Sequence, residues 1–579
     1  MDDLEKSLTE DQFAAVRSDA KQLRILAGAG TGKTRVLTHR IAYQSKALRI
    51  DAEHSLCLTF SKRAANELQQ RLKGLGLGNH VTAGTFHAIA YAQLQARWKD
   101  LGVNTEPVLL PNREKLLFPL LPESLSTPER SFILNEINWC TAQRVSASEY
   151  AALAEKTGRR NLVQFSSVGE FYRKFVAAKK QKNYVDFDDI LELAIQFLSE
   201  DTNYADARHW KFQDLFVDEF QDVNPLQFAL LRSWIGNKSS LCVVGDPNQS
   251  IYSWNGADSS YLNNFADYFP GAETVHLNRN FRSTPEILSA AALLLPNKSQ
   301  LTPSKQHGPL PTLRAEDNEV SEVKSIARKI LSTNSGAIRW ADQAVLVRTH
   351  SQITLIEEVL AEKGIPFLVH TTSPLGDYEK GNDSVRVLTF HAAKGLEWKV
   401  VHISGLEEGL VPIAHAVSQE ERDEERRLMY VALTRAEDEL HLSWARKRRF
   451  GNRRDRNPSI FLKEISAALT ASPSPARTQT KLELAKKIRE FRLKRRRVAV
   501  STYNENQDVN KLDNLEKFRT SIAKVNDVSP ESIVSDAVFE KLILEMPDSI
   551  ENLGLIDGLS PAIINRYGEE ILKILWREF

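Results

Sequence analysis

A chain of 579 residues, 42% hydrophobic and 26% charged, reads as globular and is long enough for three to five domains. Its net charge of +1 neither requires nor excludes a nucleic-acid partner, because the clustering of basic residues matters more than their sum. Cys57, Cys140 and Cys242 are too far apart for the usual zinc cluster or disulfide framework, the acidic N-terminus is unlike a secretory signal, and the apolar run 290–295 stops at Pro296, so a reducing, cytoplasmic setting without a membrane span is expected.

In chain order, residues 23–26 read as a strand, followed by a Gly-rich turn and a helix from about Lys33. Residues 55–60 read as a second strand, with a helix over 62–72. From about Gln93 to Val185 the strand signal fades and helical patterning takes over, which predicts a helical insertion. Strands resume at 215–217 and 241–244. A second set begins near 275–277, with strands at 344–347, 365–369, 385–388, 400–403 and 440–442. Strands alternating with helices predict an α/β protein built on parallel sheets. Residues 471–476 have the composition of a linker, 481–497 form a basic segment with helical spacing, and the last seventy or so residues read as a compact helical unit.

Between the first strand and helix lies Ala27-Gly28-Ala29-Gly30-Thr31-Gly32-Lys33-Thr34. A Gly-rich turn running into a helix offers backbone N–H groups and a helix N-terminus to phosphate oxygens. Lys33 is placed to reach the β- and γ-phosphates of a nucleotide, and the Thr34 hydroxyl to bind Mg²⁺. The strict pattern has Gly where this chain has Ala27. At the end of the 215–217 strand, Asp218 is the expected second Mg²⁺ ligand, and Glu219 the base that activates water. Gln249, after another apolar strand, is a candidate to sense the γ-phosphate. Arg282 and Arg435, in the second set, are candidate arginine fingers that complete the site when two domains close on the nucleotide.

These motifs, in this order from about Leu8 to Leu462, resemble the UvrD/Rep/PcrA-type helicases of superfamily one. The resemblance implies two RecA-like P-loop NTPase domains with ATP between them: residues 1–92 and 186–275 (1A), interrupted by a helical insertion at 93–185 (1B), then 276–465 (2A). It implies that Gln12 reads adenine, that Phe281 packs on it, and that Glu397 contacts the ribose or bridges to the DNA side. It also implies ATP-dependent 3′-to-5′ movement on single-stranded DNA, with ATP and Mg²⁺ as cofactors. Two positions depart from the pattern: Asn255 stands where arginine is common, and Phe281 where tyrosine is.

A motor without sequence preference needs aromatic faces for bases and donors for phosphates. Phe60, Phe86, Tyr252 and Trp254 are the aromatic candidates, just past the ends of strands. Thr85 accompanies Phe86 and His87 in one of the resembling motifs, and His87, Arg348, His391 and Lys394 are candidate phosphate contacts. The expected partners are single strands and single-strand/duplex junctions, together with a repair or replication protein, and the expected state is a monomer. Residues 512–579 resemble an HRDC domain, and the whole is most similar to the HRDC-tailed UvrD-like helicases of actinobacteria, without their four-cysteine element. The segment 466–511 is expected to be a linker carrying the basic stretch. In the resembling family a large 2B domain precedes motif V; here only residues 370–384 are available, which predicts a loop. The rivals are a translocase that strips proteins but barely unwinds duplex, and a non-catalytic DNA-binding factor.

Overall fold

The computed structural model describes residues 8–471, apart from 79, 104–105, 297–300, 370–382 and 449–454, together with 515, 517–522, 538, 542 and most of 547–576. The expected loop at 370–384 therefore lies almost wholly outside the described residues, as do the linker from 472 onward and the basic segment.

The first lobe is a six-stranded, all-parallel sheet. Its strands are β1 (Gln22–Ala27), β2 (Ser55–Thr59), β3 (Thr82–Thr85), β6 (Asp214–Val217), β7 (Ser240–Gly245) and β8 (Glu273–Leu277), in the order β3-β2-β6-β7-β1-β8. Helices α1 (Glu10–Arg17), α2 (Lys33–Lys46) and α3 (Lys62–Gly74) fall within this lobe. Burial on both faces gives these strands continuous apolar runs, Leu56-Cys57-Leu58 and Leu241-Cys242-Val243-Val244 among them, which is why they were legible in the sequence. One expectation is corrected: residues 275–277 do not open a second set. They belong to β8, which pairs with β1 at the edge of the first sheet.

The insertion also starts later than position 93. Helix α4 (Phe86–Asp100) is continuous through Gln93, and Ala90, Leu94 and Trp98 pack into the first lobe's core. The insertion proper has its own core, including Leu117, Ile133, Ile137, Tyr150 and Phe175, around α5 (Thr127–Ala142) and α6 (Phe165–Gln181). It is not wholly helical: β4 (Val108–Leu109) and β5 (Tyr184–Val185) form a short parallel ladder at its base. The chain then re-enters the first lobe through α7 (Phe187–Glu200), which Asp186 caps by accepting from the N–H groups of Asp188 and Asp189.

The second lobe is a seven-stranded parallel sheet. Its strands are β9 (Thr312–Glu316), β10 (Gln343–Val347), β11 (Phe367–Val369), β12 (Val385–Thr389), β13 (Trp398–Ile403), β14 (Ala436–Ala445) and β15 (Thr470–Ala471), in the order β11-β12-β10-β13-β14-β9-β15. The edge strand β15 lies beyond the expected boundary at 465, so the linker begins later than 466. Helix α11 (Gln419–Leu433) runs into this lobe's core with Leu428 to Leu433 buried. The C-terminal unit is separate; its described residues bury Leu515, Leu542, Leu553, Ile571 and Leu575 together, with a helix at Pro561–Trp576. No described helix is long and apolar enough to cross a membrane.

Candidate active site and nucleic-acid track

The P-loop leaves β1 and enters α2 through two left-handed residues, Gly30 at φ +67° and Gly32 at φ +83°, a conformation that disfavours any side chain with a Cβ. At Gly30 space forbids one as well: a Cβ would stand 2.5 Å from Asn280 Nδ2 and 2.7 Å from Arg282 Cβ. The second half of the chain thus lies directly on the loop. Asn280 Nδ2 donates to the Ala29 carbonyl at 2.6 Å, the Phe281 N–H donates to the Gly30 carbonyl at 2.8 Å, and the Leu301 side chain abuts Gly28. Buried Gln12 braces the loop from below. Its Nε2 donates to the Thr31 carbonyl at 2.9 Å, and its Oε1 accepts from the Thr9 N–H at 3.2 Å.

The Thr34 hydroxyl donates to Asp218 Oδ2 at 2.8 Å, and Lys33 Nζ stands 3.9 Å from Glu219 Oε2. Neighbouring strand residues face opposite ways, yet both carboxylates address the loop because Glu219 itself turns, at φ +52° and ψ +41°. That strained, left-handed conformation in a non-glycine residue is typical of functional sites. Burial raises the Asp218 carboxyl above its ordinary range, and the Glu219 charge raises it further. Burial acts the same way on Glu219, but Lys33, Lys394 and the Gln221 amide outweigh it and hold the group ionised. Gln221 Nε2 donates to Glu219 Oε2 at 2.6 Å while Gln221 Oε1 accepts from the Asp246 N–H at 3.0 Å. Gln249, also buried, donates to Asp246 Oδ2 at 2.6 Å.

Both candidate fingers come from the second lobe. Arg282 Nε donates to Glu397 Oε2 at 2.6 Å and its Nη1 to the Thr434 carbonyl at 3.3 Å. Arg435 is 1% exposed and donates to the carbonyls of Val431 at 2.9 Å and Leu396 at 3.1 Å. Burial, with repulsion from Arg282, brings its pKa down to about 9. The ring of Phe281 is 41% exposed beside the P-loop.

Several expected nucleic-acid contacts are corrected. Phe86 is 1% exposed and stacks on Trp234 with centroids 6.2 Å apart, so it has no face to offer a base. Arg348 is spent on Glu425, to which Nη2 donates at 2.5 Å and Nε at 3.1 Å. Lys394 faces the nucleotide side: it pairs with buried Asp222 and donates to the Gln249 carbonyl at 2.6 Å. Burial, helped by Arg348 and Lys394, pushes the His391 pKa down to about 3, so this ring can donate a hydrogen bond but brings no charge to a phosphate. His87 is likewise lowered by burial and meets Phe187 edge-on. Thr85 caps α4, its hydroxyl accepting from the Ala88 N–H at 3.2 Å, and Phe60 is partly buried against Phe86.

Trp254 is 56% exposed, and with Tyr252 and His391 it forms an aromatic group whose ring centroids are 6.3–6.5 Å apart. Its loop is held from three sides. Gly256, at φ +90°, packs on Ala142 so closely that a Cβ would come within 2.7 Å, and its carbonyl accepts from Gln143 Nε2 at 3.0 Å. Glu424 on α11 accepts from the Ser253 N–H at 3.1 Å and from the Ser253 hydroxyl. Arg427 Nε, one turn on, donates to the Ser250 carbonyl at 2.7 Å.

Sequence reasoning missed Gln221, Asp222, Asn280 and Glu424. The first three lie inside motifs that were recognised, and their amide and carboxylate side chains beside the catalytic pair were the available signal. Glu424 opens the stretch 424–436 that resembles a helicase motif, but nothing local singles it out from the solvated face of an acidic, basic helical run.

The UvrD/REP helicase N-terminal domain matches residues 8–270, the UvrD-like helicase C-terminal domain matches 275–375 and 375–447, and the HRDC domain matches 510–575. The chain is 28% identical to ATP-dependent DNA helicase UvrD2 of Mycobacterium tuberculosis over 99% of both proteins. That alignment runs over 691 positions, more than the 579 residues present here, so the relative carries segments with no counterpart in this chain. ATP-dependent DNA helicase PcrA of Bacillus subtilis is 26% identical over 78% of this chain and 85% of its own. DNA helicase II of Escherichia coli is 30% identical over 63% of this chain and 51% of its own. With both helicase halves matched in order around one nucleotide site, this chain belongs to the UvrD/REP helicases and carries an HRDC domain at its C-terminal end.

Proposed function

We propose that this ATP-dependent DNA helicase is a monomeric motor that moves 3′ to 5′ along single-stranded DNA, in DNA repair or replication maintenance. The observation that carries the motor reading is geometric: Glu219 is turned toward Lys33 at 3.9 Å beside the P-loop of one lobe, while Arg282 of the other lobe lies against Gly30. Thr34 and Asp218 would hold Mg²⁺; their oxygens already converge at 2.8 Å, which fits a cation ligated by a hydroxyl and a carboxylate. When bound, the ion neutralises charge on the β- and γ-phosphates. The chain's own groups supply the rest. Lys33 and the P-loop N–H groups bind the phosphates, and the half-exposed face of Phe281 takes the adenine. Glu219 accepts the proton of the attacking water, with Gln221 fixing the carboxylate. Arg282 and Arg435 offset the charge that develops on the transferred group. DNA-stimulated ATP hydrolysis tests the reading; a purified protein that binds oligo-dT with no rise in turnover would contradict it.

Exposed Trp254, with Tyr252 beside it, is the proposed stacking platform. Trp254→Ala should weaken the grip on oligo-dT by about 1–3 kcal/mol and slow translocation more than DNA-free ATP hydrolysis. Equal loss of both activities would mark Trp254 as a structural residue instead.

A second reading, a translocase that displaces proteins but unwinds poorly, is favoured by one observation: only residues 370–384 separate β11 from β12, where the resembling helicases hold a duplex-gripping domain. Each base-pair step costs about 1.4 kcal/mol to open, so a motor that slips at the junction fails as the duplex lengthens. Single-turnover unwinding should therefore fall steeply with duplex length, and more steeply once residues after Ala471, the end of β15, are removed. Efficient unwinding of long duplexes by the truncated monomer would refute this.

A further inference from the structure

The insertion reaches the second lobe through Arg160. Its guanidinium donates to the His415 carbonyl and, at 3.2 Å, to Glu421 Oε1 in the first turn of α11. The two side chains are 50% and 42% exposed. An ion pair this open to water is weak and exchanges readily for another partner.

Its neighbour Arg159 is the opposite case. Arg159 Nε and Nη2 donate to the Glu136 carboxylate at 2.8 and 2.7 Å, the Tyr150 hydroxyl donates to the same carboxylate at 2.8 Å, and the guanidinium lies 4.0 Å over the Trp139 ring. That network, inside the insertion's own core, fixes the backbone at 159. Arg160 is thus the exposed neighbour of an anchored residue, and its own side chain is the part placed to change partners.

The position it projects into borders the Trp254 loop. Glu421 lies one helical turn before Glu424, and side chains three apart on a helix are about 5–6 Å apart at Cβ. Glu424 in turn holds Ser253, next to exposed Trp254, and the C-terminal end of α5 meets the same loop at Gly256 through Ala142 and the following Gln143. Arg160 therefore stands one helical turn along α11 from the glutamate that holds the Trp254 loop.

We infer that Arg160 is a phosphate contact for single-stranded DNA, held in store on Glu421 and the His415 carbonyl until the DNA backbone displaces them. The inference rests on the reading of the Trp254 loop as the single-strand track. It makes a carboxylate the competitor of DNA for one guanidinium, so the two partners have opposite effects on binding.

The test is the affinity of the full-length protein for oligo-dT, by fluorescence anisotropy over a range of salt concentrations. Arg160→Ala should weaken binding about five-fold and flatten the slope of log affinity against log salt by about 0.7, the change expected for one lost phosphate contact on a single strand. Glu421→Gln should tighten binding about two-fold, because it releases Arg160 while keeping an oxygen for the capping bonds from the Val417 and Ser418 N–H groups. Arg160→Lys should restore most of the salt slope. A purely structural strut predicts the same sign for Arg160→Ala and Glu421→Gln, since both break one contact. Shifts of the same sign, or none in either variant, overturn the inference while leaving the motor reading intact. A wild-type protein that does not bind oligo-dT at all would overturn both.

Discussion

Glu219→Gln should lower DNA-stimulated ATP turnover by about 10²–10⁴-fold, the contribution of a positioned general base, and leave ATP and DNA binding near wild type. The substitution preserves shape, and the amide oxygen can still accept from Gln221 Nε2, which now donates at 2.6 Å. What is lost is the ionised carboxylate that takes the proton from water. The lysines that hold Glu219 below its ordinary range keep it ionised near neutral pH, so its titration should not shape the rate between about pH 6 and 8. On the acid side the sign is fixed: a lowered pKa delays loss of the base as pH falls. Steady-state hydrolysis at saturating oligo-dT, alongside equilibrium nucleotide binding, measures both halves. Near-normal turnover in the variant would remove Glu219 from this role.

Arg282→Ala should be comparably severe. An arginine finger contributes about 10³–10⁵ in rate, and with Arg435 still present the lower end is expected. The competing explanation is structural, because Arg282 also pairs with Glu397 at 2.6 Å. Glu397→Gln separates the two. It breaks the ion pair and leaves the guanidinium in place, and the pair is partly exposed, so its loss should cost less than ten-fold. Equal losses in Arg282→Ala and Glu397→Gln would mean that Arg282 acts only through the pair.

The sequence made the nucleotide site legible because its chemistry is local. A P-loop, an Asp-Glu pair after an apolar strand and two arginines are each readable within a few residues, and the parallel sheets follow from runs buried on both faces. The nucleic-acid track was less legible because stacking and charge depend on what lies across the fold. Nothing near Phe86 in sequence says that Trp234 covers it. Nothing near Arg348 or Lys394 says that Glu425 and Asp222 have already claimed their charges. The misplaced start of the second lobe has a similar cause: β8 follows a long connection, and only its pairing with β1 reveals the sheet to which it belongs.

The helix α11 has a mechanical consequence. At its middle, Glu424 and Arg427 hold the loop of Trp254; just past its C-terminal end stands the candidate finger Arg435, buried and donating to the Leu396 carbonyl. From Glu424 to Leu433 the link is about 15 Å of unbroken helix, with its last turns packed in the core. A helix of that length behaves as a pushrod with no joint in which travel can be absorbed. Under the proposed reading, a displacement of Arg435 should therefore be felt at the tryptophan loop, so that one rod couples the candidate finger to the candidate base platform.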